Sequence, residues 1–121
     1  MALFGNAHTV DLETAQRDYA PLLGQGEQVQ AAYRLIRDTI LFTDRRLVLV
    51  DKQGVTGKKV GYHSIPYRSV THFTVETAGT FDLDAELKIW LSGSEVPIQQ
   101  TFTKGVDIYE VQALLAQFVT R

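Results

Sequence analysis

From about residue 27 to residue 103, apolar and polar side chains alternate in short segments that end at turn sequences rich in Gly and Asp. Alternation with a period of two sends successive side chains to opposite faces, so each segment is predicted to be a half-buried strand. Six or seven such strands joined by hairpin-length links predict an antiparallel sandwich or barrel. The predicted strand segments are Val29 to Phe42, Leu47 to Val50, Lys58 to Tyr67, Val70 to Thr77, Glu86 to Ser92 and Val96 to Thr103.

The same alternation assigns side chains to faces. In the fourth of these segments it places Val70 and His72 on one side and Phe73 on the other. In the last segment it places Val96 on the same face as Ile98. In Leu47 to Val50 both faces are apolar, whereas a half-solvated strand should alternate. The outer face of that strand is therefore predicted to meet either the N-terminal helix or another chain.

Two segments at the ends of the chain carry the helical period of 3.6. Residues 10–23 are predicted to form a helix that Thr9 or Asp11 caps and that Pro21 helps to end. Residues 106–119 are predicted to form a longer amphipathic helix, which Asp107 begins and which covers an open end of the β body. The apolar stripe of the first helix is Leu12, Ala15, Tyr19, Leu22 and Leu23, and that of the second is Ile108, Val111, Leu114, Leu115, Phe118 and Val119.

Composition limits the classes of function. The 121 residues suffice for a single domain spanning 1–121, and the absence of cysteine excludes disulfides, thiol catalysis and cysteine-ligated metals. The chain has 12 Lys+Arg and 14 Asp+Glu, so it is not expected to bind nucleic acid through an overall positive charge. No apolar run is long enough to span a membrane, and no secretory signal is evident, so a soluble cytoplasmic protein is expected. No cofactor is predicted.

Four segments in order resemble the signature segments of the bacterial pleckstrin-homology (PH) family. They are Arg-Asp-Thr-Ile-Leu-Phe-Thr-Asp-Arg-Arg-Leu from Arg37, Asp-Lys-Gln-Gly-Val-Thr-Gly-Lys-Lys from Asp51, Tyr-His-Ser-Ile-Pro-Tyr from Tyr62, and Glu-Thr-Ala-Gly-Thr-Phe-Asp-Leu-Asp-Ala-Glu from Glu76. The resemblance extends from about Glu27 to Phe118. It implies a mainly β, PH-like fold: a bent, seven-stranded antiparallel sandwich capped by the C-terminal helix, with a short N-terminal helix.

The resemblance also implies a mode of action. Single-domain members of the family assemble as closed, five-fold rings through strand edges, and a hydrophilic surface at the junction of protomers serves protein–protein interaction. The chain is therefore expected to be a non-catalytic scaffold that binds itself and an unknown protein partner.

Basic residues concentrate between positions 34 and 68, which hold eight Lys and Arg against three Asp. In eukaryotic PH domains, basic residues of the first hairpin bind phosphoinositides, so anionic phospholipid head groups are the alternative ligand. A fork of guanidinium groups suits phosphate, although the tight turn Thr43 to Arg46 contains the acidic Asp44. The candidate lipid-binding residues are Arg34, Arg37, Arg45, Arg46, Lys58, Lys59 and Arg68. The candidate protein-interaction surface comprises Arg37, Asp44, Arg45, Arg46, Lys58, Lys59 and Arg68 together with Asp82, Asp84 and Glu86.

An acidic ladder, Asp82, Asp84 and Glu86, places three carboxylates on one side of an extended chain. It could hold a hard cation, protect an exposed strand edge, or meet the basic stretch 45–59 of a neighbouring copy. The last interpretation predicts that reversing the charges of Asp82 and Asp84 changes the oligomeric state.

Catalysis has little support in the sequence. His63 and Ser64 are adjacent, so on a strand their side chains point to opposite faces and cannot act as a nucleophile and its base. A spatial arrangement of Ser64, His72 and an Asp stays open at this stage, but nothing indicates a nucleophile elbow or an oxyanion hole.

Overall fold

The computed structural model describes residues 9–35, 38–54, 58–77, 84–103 and 105–120. Two compact units make up the chain, Met1–Ile65 and Pro66–Arg121. The elements in chain order are α1 (Leu12–Asp18), a 3₁₀ turn (Ala20–Leu22), β1 (Val29–Arg34), β2 (Thr39–Thr43), β3 (Arg46–Gln53), β4 (Lys59–Pro66), a second 3₁₀ turn (Tyr67–Ser69), β5 (Val70–Thr77), β6 (Ala85–Leu91), β7 (Ile98–Phe102) and α2 (Ile108–Val119). Among the described residues, no helix has the length and apolar character needed to cross a membrane.

The sheet of the first unit has the strand order β1-β2-β3-β4, and β2 is antiparallel to both β1 and β3. The predicted single strand from Val29 to Phe42 is wrong, because it folds back on itself as the β1–β2 hairpin. The amide of Leu35 donates to the carbonyl of Asp38 at 2.7 Å, and the Asp38 carboxylate accepts from the amide of Lys52 at 3.1 Å. This connection contains neither Gly nor Pro, so no local signal in the sequence marked it.

The N-terminal helix is shorter than predicted. The Asp11 carboxylate caps it by accepting from the amide of Thr14 at 3.1 Å, and α1 ends at Asp18. The chain continues as a 3₁₀ turn that contains Pro21, which has no N–H for a further α-helical bond. Leu12, predicted on the apolar face, is 47% exposed, whereas Ala15 is fully buried.

The cover of β3 comes from the same unit. Val48 and Val50 belong to a buried cluster with Ala15 of α1, and further apolar side chains of the N-terminal segment pack against that cluster. Of the two predicted covers for this doubly apolar strand, the structure therefore shows the N-terminal helix. The apolar outer face of β3 no longer indicates a neighbouring chain.

The second unit contains the antiparallel sheet β5-β6-β7 and the helix α2. The Asp107 carboxylate caps α2, as predicted, by accepting from the amides of Tyr109 and Glu110. The buried face of α2 includes Phe118, whose ring stacks on Tyr67 of the second 3₁₀ turn with centroids 4.8 Å apart. Val96, predicted to share a buried face of the last strand, lies outside β7 and is 76% exposed.

A bulge in β5 changes the predicted faces of that strand. The register with β6 shifts between Val70 and His72, so Val70 pairs with Leu91 and His72 pairs with Trp90. Val70 is buried while His72 is exposed. The sequence expectation that Val70 and His72 share a face is therefore wrong, because the extra residue, Thr71, interrupts the alternation.

Candidate interaction surface

The two adjacent arginines of the basic stretch are in different environments. Both lie at the turn between β2 and β3, which is the second hairpin of the chain and not the first. The Arg46 guanidinium donates to both carboxylate oxygens of Glu27, at 2.8 and 2.9 Å, to the carbonyl of Leu22 at 2.6 Å and to the hydroxyl of Ser64 at 2.7 Å. Its side chain is 24% exposed. Arg46 therefore joins the N-terminal segment, β3 and β4 of the first unit.

Glu27 is the buried partner in this cluster, with a side chain that is 3% exposed. Its carboxylate also accepts from the hydroxyl of Thr43 at 2.7 Å and from the amide of Gly24 at 2.8 Å. Hydrogen bonding to Arg46 outweighs desolvation and lowers the pKa of Glu27 to about 2. The same pairing raises the pKa of Arg46. Both side chains are therefore charged at neutral pH and hold each other in place.

The other two residues of this turn, Asp44 and Arg45, differ in their contacts with the rest of the first unit. The Asp44 carboxylate accepts from the amide of Gln28 at 3.0 Å, so it holds the turn against the start of β1. Arg45 is exposed, and its guanidinium lies over the turn at Gly26, 3.3 Å from where a Cβ would stand. Gly26 has a φ of +78°, which residues with a side chain rarely adopt. Arg45 is thus the more exposed of the two arginines, whereas the guanidinium of Arg46 is engaged by Glu27, Leu22 and Ser64.

Three further candidate cations are exposed. Lys58 and Lys59 stand at the start of β4, and Arg68 lies in the second 3₁₀ turn. None of the three makes an ion pair with another described residue. Of the two remaining basic candidates, Arg34 is the exposed last residue of β1, and Arg37 lies outside the described residues. The two lysines therefore form an exposed basic group, Lys58–Lys59, on the first unit.

The acidic ladder is described only in part, since Asp82 lies outside the described residues. Asp84 directly precedes β6 and is exposed. Glu86 is partly buried and accepts a hydrogen bond from the side-chain amide of Gln99 at 2.9 Å. No group of three or more His, Asp or Glu in the described part of the chain is placed to hold a metal ion. Asp84 is the exposed carboxylate of the ladder in the second unit.

The residues considered for catalysis are engaged elsewhere. The Ser64 hydroxyl accepts from Arg46, and the ring of His72 stacks on Trp90 with centroids 4.4 Å apart and planes inclined by 14°. The Thr71 hydroxyl donates to the carbonyl of Trp90 at 3.1 Å, and His72 Nδ1 lies 3.2 Å from that hydroxyl. The Thr71 hydroxyl, which donates its one hydrogen to Trp90, can accept from His72 Nδ1 when that nitrogen carries the proton. His72 is thus held by its own sheet.

Sequence reasoning missed Glu27 as the partner of Arg46. The two residues are 19 positions apart, and an acidic residue after a glycine-containing turn is ordinarily exposed. The signal that could have found Glu27 is long-range pairing across the unit, which neither periodicity nor motif spacing reports.

Comparison with known proteins identifies the family. A family model described as "Bacterial PH domain" matches residues 1–119. The chain belongs to the bacterial PH domain family. This bacterial PH domain is 55% identical over 115 residues to the uncharacterized protein YjqA of Bacillus subtilis (strain 168), a match covering 94% of this chain and 92% of YjqA. It is 31% identical over 109 residues to the uncharacterized protein YozO of the same strain, covering 90% of this chain and 93% of YozO.

Solved structures agree with this assignment. The bacterial PH domain matches a DUF1696 family protein with a pleckstrin-homology domain from Shewanella loihica PV-4, with a TM-score of 0.84 and 53% identity over 95% of this chain and 98% of that one. A pleckstrin homology domain from Shewanella amazonensis SB2B gives a TM-score of 0.82 and 52% identity over 98% and 95% of the two chains. The predicted mainly β, PH-like fold with a C-terminal helix is thereby confirmed.

Proposed function

We propose that this bacterial PH domain is a non-catalytic protein-interaction module that works as a closed homo-oligomeric ring in the cytoplasm. The observation that carries the proposal is the exposure of opposite charges on the two units. Lys58 and Lys59 are exposed on the first unit, and Asp84 is exposed on the second. Among the described residues, none of these three has an ion-pair partner within its own chain.

The placement of these charges supports a head-to-tail contact. When two different surfaces of one chain are complementary, each copy can bind the next, and the series closes into a ring if the rotation between copies allows it. The proposed contact joins the Lys58–Lys59 group of one copy to the acidic segment around Asp82 and Asp84 of the next. Exposed charges at a rim steer association and fix the register between copies more than they add affinity.

The proposed function of such an assembly is to present several copies of one binding surface to a protein partner. Each copy repeats the same polar surface at a fixed spacing, so a protein partner with several weak contact sites is held more tightly than by one copy. The interactions of Ser64 and His72 support a non-catalytic role, because Ser64 accepts a hydrogen bond from Arg46 and the ring of His72 stacks on Trp90.

Anionic phospholipid head groups are the alternative ligand of the basic stretch. The exposure of Arg45, Lys58 and Lys59 favours this alternative. The hydrogen bonds of Arg46 argue against it. The Arg46 guanidinium already donates to Glu27, Leu22 and Ser64, so the two adjacent arginines do not bind one phosphate together. Flotation with vesicles containing phosphatidylserine tests the alternative, and the proposal predicts no bound protein at physiological salt.

The decisive experiment is native mass spectrometry of charge-reversed variants. The wild type is expected to show one cyclic stoichiometry. Reversal of the acidic side (Asp82→Lys with Asp84→Lys) or of the basic side (Lys58→Glu with Lys59→Glu) should dissociate it, because like charges then face each other. The variant with all four changes should assemble again, since the contact regains opposite charges with the signs exchanged.

The matched control reverses two exposed acidic side chains outside the proposed contact, Asp18→Lys with Glu95→Lys, and should keep the wild-type mass. A monomeric wild type, or pairwise reversals that leave the mass unchanged, would refute the proposed contact. Vesicle binding that is lost with the basic-side reversal would favour the lipid alternative instead.

A further inference from the structure

The outer edge of β1 is occupied by the chain's own N-terminal segment, here called the edge guard, residues 9–16. Thr9 forms an antiparallel bridge with Tyr33, and the amide of Val10 donates to the carbonyl of Ala32 at 2.9 Å. β1 is the first strand in the sheet order, so this edge is the side away from β2. Two residues of an otherwise irregular segment therefore continue the hydrogen bonding of the sheet beyond its last strand.

Gln16 extends the same cover from within α1. Its side-chain amide nitrogen donates to the carbonyl of Glu27 at 3.2 Å, and its amide oxygen accepts from the amide of Val29 at 2.8 Å. A glutamine side chain carries the same donor and acceptor as a peptide group, so Gln16 replaces one peptide unit of a neighbouring strand. The helix itself is fixed by Ala15, which is fully buried in the cluster that contains Val48 and Val50.

β1 has a second feature, besides its cover, that hinders the addition of a strand from another chain. The strand carries a β-bulge between Val29 and Ala31, which twists an edge away from regular pairing. Covering an edge and bulging it are both means by which proteins prevent strands of other chains from adding to a sheet. The opposite outer strand of this sheet, β4, pairs with β3 alone among the described strands. The four-stranded sheet thus has one edge covered by the edge guard and one edge to which no other described strand is paired.

We propose that the edge guard is an autoinhibitory contact that prevents β1 from pairing with a strand of a second copy of this chain. The second copy is the partner that the geometry indicates, because it supplies β4, an edge strand with no further strand paired to it among the described strands. A β1 that lost its guard would present the amide of Val29 and the carbonyl of Ala32 from the strand itself, and the carbonyl of Glu27 from just before it. Pairing of β1 with β4 of the next copy would then add to whatever contacts the wild-type chain makes.

The test removes the guard with the smallest changes that break its bonds. Gln16→Ala deletes both side-chain hydrogen bonds, and Val10→Pro deletes the N–H that binds Ala32. In Gln16→Ala, hydrogen exchange at the amide of Val29 should quicken by about fivefold or more, since its acceptor is lost. In the double variant, light scattering should show a mass that rises with protein concentration and exceeds the wild-type value, because a β1–β4 contact can repeat from copy to copy.

Arg17→Ala is the matched control, because Arg17 is exposed on the same helix and pairs only with its neighbour Asp18 at 3.7 Å. It should keep both the Val29 exchange rate and the wild-type mass. Far-ultraviolet circular dichroism shows that each variant is folded, and Gln16→Ala by itself serves if the double variant is not. An exchange rate at Val29 that stays at the wild-type value, or a faster exchange with no gain in mass at any concentration, overturns the proposal. Because the readout is the change from wild type, it is independent of whether the wild type forms a ring.

Discussion

Arg45 and Arg46 show how far the environment of a side chain can depart from that of its neighbour. One is exposed over a glycine turn, and the other is held by Glu27, Ser64 and the carbonyl of Leu22. Arg46 is the first residue of β3, whereas Arg45 lies in the turn before that strand. A difference of one residue in position therefore decides between a solvated charge and a buried ion pair.

This difference gives a direct prediction for stability. Arg46→Ala should lower the free energy of unfolding by about 3 kcal/mol, because it leaves the buried carboxylate of Glu27 without its counter-charge. Arg45→Ala should change it by less than about 0.5 kcal/mol, as expected for an exposed side chain. Urea unfolding followed by far-ultraviolet circular dichroism measures both. Equal effects of the two substitutions would show that the Glu27–Arg46 pair does not hold the first unit together.

The pH dependence of stability follows from the same pair. The folded-state pKa of Glu27 is lowered from 4.5 to about 2, so the folded state favours the carboxylate. The resulting stabilisation, of order 3 kcal/mol, is present above about pH 4.5 and is lost as the pH falls towards 2. The difference in unfolding free energy between wild type and Glu27→Gln should shrink over this range. If the difference in unfolding free energy between wild type and Glu27→Gln stays constant from about pH 6 to about pH 2, the lowered pKa of Glu27 is contradicted.

At the scale of strands and helices, the bulge in β5 has the largest consequence. Thr71 leaves the ladder and its hydroxyl satisfies the carbonyl of Trp90, so the ring of His72 comes to lie on the indole. Bulges commonly re-aim a side chain in this way. The result is a stacked aromatic pair between β5 and β6 that alternation by itself assigns incorrectly.

The pair can be followed through Trp90, the one tryptophan of the chain. His72→Ala removes the stacked ring, so one face of the indole gains water and the emission maximum should shift to longer wavelength. His63→Ala is the control, because His63 is exposed on β4, and it should leave the emission maximum unchanged. An unchanged spectrum in the His72 variant would mean that the two rings are not stacked in solution.

At the scale of the whole molecule, some charges and strand edges bind other parts of the same chain, and others are exposed. The ion pair of Glu27 with Arg46 and the guard over β1 are both internal. Lys58, Lys59 and Asp84 are exposed, and β4 pairs with one described strand only. Closing one edge leaves fewer ways for copies to add to one another, which favours a single closed assembly over open-ended growth. The charge-reversal and guard-removal experiments examine these two features separately.

Most of the secondary structure of this bacterial PH domain could be predicted from the sequence, because local periodicity determines which segments form strands and where α2 begins. Five of the strands and the cap at Asp107 follow from alternation and capping residues. The family followed from four segments whose residues match in order.

Tertiary structure decided what is not encoded locally. The hairpin between β1 and β2, the cover of β3 by the N-terminal helix and the burial of Glu27 beside Arg46 all depend on residues far apart in the chain. Periodicity reports which face of a strand is apolar, but it does not report which element covers that face or which distant charge pairs with a given arginine. Those outcomes depend on contacts formed only when the whole unit folds, since burial and hydrogen bonding are properties of the packed chain.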